Sequence, residues 1–179
     1  MNLRSERLEL IELTWNDLDL VHRLNSFPEV DQYNTLGIPK NIEETKKSMA
    51  AGIEDQNKSA RTQFAWGIWF HKEFVGKAGL ILNAKKYQSG EIYYVLDPAY
   101  WHVGIATETA KTIIRYGFED LNLHRLTAGV ATENLASIRV LEKVGMIREG
   151  IGRKILPIRG NWVDNFSYSI LEEDPREYS

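Results

Sequence analysis

The chain of 179 residues contains no cysteine. That absence excludes disulfides, cysteine-ligated zinc or iron–sulfur centres, and any thiol nucleophile. An excess of charge of either sign is also missing. The 22 basic and 25 acidic side chains leave a net charge of -3, so the strongly basic footprint of a nucleic-acid binder is absent, and no nucleic-acid partner is expected. No run approaches the ~18 apolar residues of a membrane span. The segment from Met1 to Arg7 is charged and holds no apolar stretch of the kind that directs secretion. The expected setting is therefore the cytoplasm, with no membrane partner. His22, His71, His102 and His124 show no metal-ligand spacing, so no metal site is expected. There is no internal repeat, low-complexity tract or linker. Residues 1–179 read as one domain. At 43% hydrophobic and 26% charged residues the chain is neither disordered nor fibrous, and its size suffices to bury a core without staples.

Periodicity supplies the order of elements. Leu8 to Leu13 reads as a short strand. Thr14 with Asp17 forms a capping signal for a helix through Leu18, Val21 and Leu24 that stops before Pro28. Phe27 to Lys40 reads as irregular, and Asn41 with Glu44 opens a second helix. Phe64–Phe70 and Phe74–Asn83 form an antiparallel hairpin about His71-Lys72-Glu73. Lys85 to Gly90 is a loop, and Glu91–Leu96 is the next strand. Ala110, Ile113, Ile114, Gly117, Phe118 and Leu121 make one buried helical stripe. A strand over Leu126–Ala131 follows, then a short helix over Ser137–Val144 with Gly145 beyond it. Two final strands, Ile147–Leu156 and Trp162–Leu171, are separated by Pro157 and Gly160. This mixed order argues for one α/β or α+β domain, a sheet covered by helices.

The informative stretch runs from Tyr94 to Ile105. A strand ends near Pro98, a turn passes Trp101-His102-Val103-Gly104, and the long helix begins near Ile105. Such a junction aims free backbone N–H groups and the positive helix end at one spot, which suits phosphate. Gly104 and Ala106 are small enough to admit a diphosphate against the backbone, although a plain turn has the same sequence. About thirty residues on, Asn134 and Ser137 lie one turn apart at a helix start. Either suits a cap, and both suit a ligand amide beside the preceding strand.

Together these segments resemble the Gcn5-related N-acetyltransferase superfamily. Trp101-His102-Val103-Gly104-Ile105-Ala106 is similar to its pyrophosphate loop, Arg/Gln-x-x-Gly-x-Gly/Ala. The run Asp97-Pro98-Ala99-Tyr100-Trp101 through Ala106-Thr107-Glu108, with Asn134, Ser137, Lys143 and Gly145, resembles the RimJ/RimL-like branch that acetylates ribosomal-protein N-termini. The resemblance implies a mixed, mostly antiparallel sheet of about seven strands flanked by about four helices, splayed in a V between its fourth and fifth strands. It implies that acetyl-CoA lies in the splay. The pantetheine arm would pair with Tyr94, Val95 and Leu96 like an added strand. Trp101, His102, Val103, Gly104, Ile105, Ala106 and Thr107 would surround the diphosphate, held by the backbone N–H groups of Val103 to Thr107. Asn134 would bond the pantetheine, Ser137 would stand beside the thioester, and Arg139 or Lys143 would approach the adenosine phosphates.

There are departures. Trp101 fills the slot for Arg or Gln, and His102 and Val103 stand where this branch often has Gly and Lys. The loss of a charged contact weakens cofactor binding, and β-branched Val103 resists left-handed backbone.

Acetyl transfer needs a neutral amine, a polarised thioester and a proton for the thiolate. An α-amino group, with a pKa of about 7.7–8.0, is partly neutral at pH 7, whereas an aliphatic amine near ~10.4 needs a stronger base or desolvation. Without cysteine no acetyl-thioenzyme forms, and direct transfer in a ternary complex is expected. Many superfamily members place an acidic Tyr seven residues after the position of Asn134. Here that slot is Leu141, leaving Ser137 as proton donor or orienting group. Glu91 is the leading base, with Asp164, His71 and Tyr93 behind it. The acceptor groove would be lined by Tyr33, Trp66, Trp69 and Trp162 and bordered by Arg159-Gly160-Asn161-Trp162-Val163-Asp164. The expected partners are acetyl-CoA and an amine acceptor, with the chain a monomer or homodimer. Three readings follow: acetylation of a protein N-terminus, acetylation of a small amine such as a polyamine, amino acid or aminoglycoside, and a catalytically weakened acyl-CoA-binding module.

Overall fold

A computed structural model describes residues 1–176, so the last three residues of the expected domain lie outside the described residues. Eight strands form one sheet: β1 (Leu3–Arg4), β2 (Leu8–Glu12), β3 (Gln63–Phe70), β4 (Glu73–Leu82), β5 (Ser89–Leu96), β6 (Arg125–Ala131), β7 (Ile147–Ile158) and β8 (Asn161–Leu171). Their spatial order is β1-β2-β3-β4-β5-β6-β8-β7. Every pairing is antiparallel except β5 with β6. Five helices accompany them: α1 (Leu18–Asn25), α2 (Pro28–Asp31), α3 (Ile42–Asp55), α4 (Ile105–Glu119) and α5 (Leu135–Lys143).

The α+β fold agrees with the sequence reading. The eighth strand is the two-residue β1, too short to carry a period-2 pattern. The one-turn helix α2 lies in the stretch read as irregular, started by Pro28 at its first turn. The loop before β5 holds a 3-10 turn, and β5 itself begins at Ser89. The hairpin between β3 and β4 has a two-residue turn, because His71 and Lys72 both take positive φ and Glu73 already pairs with Phe70. Helix α5 starts at Leu135, two residues earlier than expected, because Asn134 is its cap.

Two apolar layers flank the sheet. On one face α4 and α5 cover Ile92, Leu126, Ala128 and Ile170, with Ile113 and Ile114 of the predicted stripe fully buried. On the other, α1 and α3 pack Val21, Leu24 and Met49 onto Ala65 and Phe74. Trp66 and Trp69 fall in these layers. Trp66 is wholly buried, with its indole N–H donating to the Met1 carbonyl at 2.8 Å, and Trp69 stacks edge-on against Phe74. Neither lines a groove. Alternation marks them as strand residues but does not say which face stays open.

Asp55 ties α3 to the start of β3. Its carboxylate accepts the backbone N–H groups of Thr62 at 2.6 Å and Gln63 at 2.7 Å and pairs with Lys58. Burial raises its pKa, but these hydrogen bonds and the lysine outweigh that and bring it to about 2.

Among the described residues, no helix is long and apolar enough to cross a membrane.

Candidate active site

β5 and β6 pair only through Ser89, Gly90 and Glu91 with Arg125, Leu126 and Thr127. Beyond that point the strands part. β6 continues on β8 through Ala128 to Ala131, so its other edge faces the gap. A cleft of about 520 Å³ fills the splay. It runs from α2 to the start of α4, with α5 along one side.

The loop at its head is built by backbone geometry. After β5, Asp97 Oδ1 accepts the Ala99 N–H at 2.9 Å and caps a 3-10 turn over Pro98–Tyr100. Trp101 donates its indole N–H to the Leu96 carbonyl at 3.0 Å, folding the loop back on the strand. His102 and Gly104 both take left-handed backbone, at φ 63° and 86°. Val103 sits between them and avoids that region, so the expected conflict with its β-branched side chain does not arise. Gly104 is the N-cap of α4 and no side chain caps that helix. The first N–H groups of α4 therefore lack a side-chain partner and open onto the cleft, an arrangement that fits a diphosphate.

The structure brings most of the predicted cofactor residues together. Tyr94, Val95, Leu96, Trp101, His102, Gly104, Ile105, Ala106, Thr107, Asn134, Ser137 and Lys143 all line this one cleft. Val103 does not. Its carbonyl points away and accepts from Arg7 Nη1 at 3.2 Å. Asn134 Oδ1 accepts the Ser137 N–H at 3.1 Å, so its carbonyl oxygen serves the helix cap and its amide N–H2 remains to face a ligand. Arg139 also lines the cleft.

Two groups were hidden from the sequence. The first is the partner of Ser137. Tyr94 Oη stands 2.8 Å from Ser137 Oγ, although 43 residues separate them. Burial pushes the Tyr94 hydroxyl up to about 12, with the Ser137 bond opposing, so it remains a proton-bearing phenol at neutral pH. Leu141, in the slot where an acidic Tyr was sought, is buried at 1% exposure and faces the core. The second is Arg7, in the turn before β2. It donates to Glu108 on α4 at 2.7 Å as well as to Val103, and Ser5 Oγ donates to the same carboxylate at 2.6 Å. Burial raises the Glu108 pKa, but these bonds outweigh it and hold the carboxyl below its usual range. A cation thus braces the loop from behind. Nothing in local pattern reveals it, because the contact spans 101 residues.

The candidate bases separate. Strand alternation puts Glu91, Tyr93 and Val95 on the face opposite Tyr94. Glu91 is exposed at the foot of the splay, and its Oε1 lies over Gly129 beside Asn165. No hydrogen bond joins it to Ser137, so the two approach the gap from opposite faces. Tyr93 lays its ring and hydroxyl across Gly79, where an added Cβ would fall 2.4 Å away. Burial of that hydroxyl pushes it up to about 12, which removes it as a neutral-pH base. Asp164 is spent in the β7–β8 ribbon, accepting the Lys154 N–H at 2.8 Å. His71 stacks on Phe70 in the β3–β4 turn.

The acceptor side is closed by α2. Tyr33 lines the cleft and donates to the Glu133 carbonyl at 3.2 Å. Arg159, in the β7–β8 turn, pairs with Asp31 at 2.9 Å and donates to the Pro28 carbonyl at 2.9 Å. Trp162, beside that turn, is 61% exposed and does not line the cleft. A surface trio distant in sequence, His124, Glu172 and Glu173, brings its ligating atoms within 4.8 Å of one another. None of the three lines the cleft.

A parallel strand pair that splays beside a helix start with no side-chain cap, with hydroxyls at the gap, suits an extended ligand that ends in a diphosphate. The acetyltransferase (GNAT) domain model matches residues 7–147, and the chain belongs to that family: it is an N-acetyltransferase, and the family uses acyl-CoA. The chain is 33% identical to the uncharacterized N-acetyltransferase YnaD of Bacillus subtilis (strain 168), covering 97% of this chain and 99% of that one. Its fold matches an acetyltransferase of this family from Bacillus anthracis with a TM-score of 0.82 at 30% identity, covering 97% and 100% of the two chains. RimL, a ribosomal L7/L12 α-N-protein acetyltransferase solved with coenzyme A, superposes with a TM-score of 0.87 over 96% of this chain and 98% of its own. At 18% identity that likeness shows the fold alone.

Proposed function

We propose that this enzyme moves acetyl from acetyl-CoA directly to the α-amino group of a peptide chain. The observation that carries the acceptor class is the open edge of β6 from Ala128 to Ala131, facing the splay. A peptide N-terminus brings backbone amides that pair with such an edge, and a polyamine does not. The charges support the same reading. Asp31, the buried carboxylate nearest the acceptor side, is already neutralised by Arg159. Glu29 is then the one unpaired carboxylate among the described residues lining the cleft on that side, fewer than a polycation calls for.

The roles follow from position. Backbone N–H groups of Val103 to Thr107 hold the diphosphate. The free edge of β5 at Tyr94–Leu96 and the Asn134 amide orient the pantetheine arm. Glu91 takes the proton from the attacking amine, which suffices for an α-amino group because it is already partly neutral at pH 7. Ser137 Oγ, replenished by Tyr94 Oη, gives its proton to the departing thiolate. Both protons then exchange with water and the enzyme returns to its starting state. Lys143 and Arg139 stand toward the adenosine end. RimL's activity as an α-N-protein acetyltransferase agrees with this reading, and a polyamine acetyltransferase is the alternative.

The test is thiol release from acetyl-CoA with peptides bearing a free α-amine, the same peptides Nα-blocked, and spermidine. Release with free peptides alone is expected. Turnover of spermidine and of no peptide would overturn the acceptor assignment.

A further inference from the structure

On the face of the sheet that carries Glu91, one buried polar side chain is left without a duty. Asn165 of β8 is 8% exposed. Register and alternation put it on that face, opposite Ala131 of β6 and Gly152 of β7, neither of which offers a polar side chain. Its carboxamide makes no hydrogen bond among the described residues. An amide withdrawn from water in this way is costly unless a partner comes to it. Packing alone would be served as well by a leucine.

The amide is aimed at the splay. Gly129, on the open edge of β6, has no side chain. A Cβ there would fall 3.1 Å from Asn165 Oδ1, 3.5 Å from its Nδ2 and 3.6 Å from Glu91 Oε1. Glu91 has no side-chain hydrogen bond or ion pair among the described residues. The two side chains therefore flank one small space over Gly129, one from β5 and one from β8, with no bond between them. The approach to that space is uncrowded. Gly129 pairs with Ser167, and Ser167 with Gly150, where nothing lies within 4 Å of an added Cβ. A carboxylate and an amide carbonyl both accept hydrogen bonds, and an attacking primary amine carries two N–H groups.

We propose that Asn165 binds the amino nitrogen of the acceptor together with Glu91, and so selects primary over secondary amines. The inference rests on the reading of Glu91 as the base. The nitrogen lone pair forms the bond to the thioester carbon. The C–S bond breaks, and the sulfur leaves as thiolate and takes the Ser137 proton. One N–H proton passes to Glu91. The other stays on the nitrogen into the product amide and donates to Asn165 Oδ1. That second bond strengthens as the nitrogen becomes cationic during attack, and it holds the lone pair toward the thioester. A secondary amine has no second hydrogen to give, and its extra carbon meets the buried carbonyl oxygen instead.

The experiment measures kcat/KM for thiol release from acetyl-CoA with two acceptors that differ by one methyl, an alanyl peptide and the same peptide beginning with N-methylalanine. The wild type prefers the primary amine. In Asn165→Leu that preference shrinks about tenfold, the scale of one charge-assisted hydrogen bond. The loss falls on the primary amine alone, and KM for acetyl-CoA stays within about twofold. The melting temperature of Asn165→Leu is no lower than that of the wild type, because the resting protein loses no hydrogen bond. A purely structural asparagine would show the reverse. Asn165→Asp restores an oxygen acceptor at the same place and keeps the preference. A wild type indifferent to the methyl, an unchanged preference in Asn165→Leu, or equal losses with both acceptors overturns the proposal. The base reading survives those results as long as Glu91→Gln is slow. A Glu91→Gln enzyme at the wild-type rate overturns that reading and the proposal with it. If spermidine and no peptide is turned over, spermidine and its terminally N-methylated form replace the two peptides, and the same outcomes decide.

Discussion

Replacing Tyr94 by Phe removes one atom from the cleft, the hydroxyl 2.8 Å from Ser137 Oγ. The ring stays, so packing against α5 is kept. In the ground state a hydrogen bond between two neutral hydroxyls contributes about 1 kcal/mol. When the thiolate departs and Ser137 gives up its proton, the Tyr94 bond becomes charge-assisted and roughly twice as strong. The difference, about 1 kcal/mol, appears in the transition state only, so kcat falls about fivefold while KM for acetyl-CoA holds within about twofold. Ser137→Ala removes the donor itself and lowers kcat about a hundredfold. Because Tyr94 acts through Ser137, the double variant is no slower than Ser137→Ala within about threefold. The assay is steady-state thiol release at saturating amine, with a melting curve for each variant to show that the fold is intact. A Tyr94→Phe enzyme with wild-type kcat refutes the reasoning. So does a double variant whose losses multiply, since two independent contributions would then be at work.

Arg7→Ala unbraces the diphosphate loop and raises KM for acetyl-CoA about fivefold to tenfold with little change in kcat, which initial rates at varied cofactor will show. Gly104→Ala forces a Cβ into left-handed backbone, where it also meets Arg7 Nη2 at 3.3 Å; a weakening of acetyl-CoA binding by about tenfold is expected in a titration. Lys77, hydrogen-bonded to Asn25 at 2.8 Å, is lowered by burial from 10.5 to about 8. Below pH 8 the folded protein holds a buried cation at a penalty of up to about 3 kcal/mol, and between pH 8 and 10.5 the unfolded chain binds the extra proton, so stability rises with pH there. Urea melts of Lys77→Met should lose that rise. Asp55 works in the opposite sense: its depressed pKa stabilises the fold above pH 3.8, and that contribution is lost as pH falls through about 2. Asp55→Asn costs about 2 kcal/mol in urea melts at pH 7 and flattens the acid limb.

The sequence was most legible where one chain segment makes its own structure. The α4 stripe, the Asn134 cap and the left-handed Gly104 are local, and each can be read within a dozen residues. The cofactor cleft inherits that legibility because it is mostly one loop and two helix starts. What escaped is contact across the sheet. Tyr94 reads as a strand residue, and only the splay between β5 and β6 lets it reach Ser137 on α5. Arg7 reads as part of a charged leader, and only the β1–β2 turn carries it to Glu108. Trp66 and Trp69 were misplaced for a related reason. Period-2 alternation gives the face but not what covers it: Trp66 lies under α4 against Tyr116, and Trp69 lies in the layer covered by α1 and α3. Helix α2 is one turn long and has no amphipathic period to detect.

The short union of β5 and β6 has a consequence for how the protein holds together. The sheet is two ribbons, one of five strands and one of three, joined by a three-residue zipper and then unbuttoned. Along the parted edges neither strand has the other as a partner, and an extended ligand fits between them. A cofactor arm and an acceptor backbone, each behaving as a temporary strand, would knit the ribbons into one fabric. Substrate capture is then also the closing step of assembly. Amide exchange at Tyr94 to Leu96 is expected to slow on loading, the sign that a ligand has closed the seam.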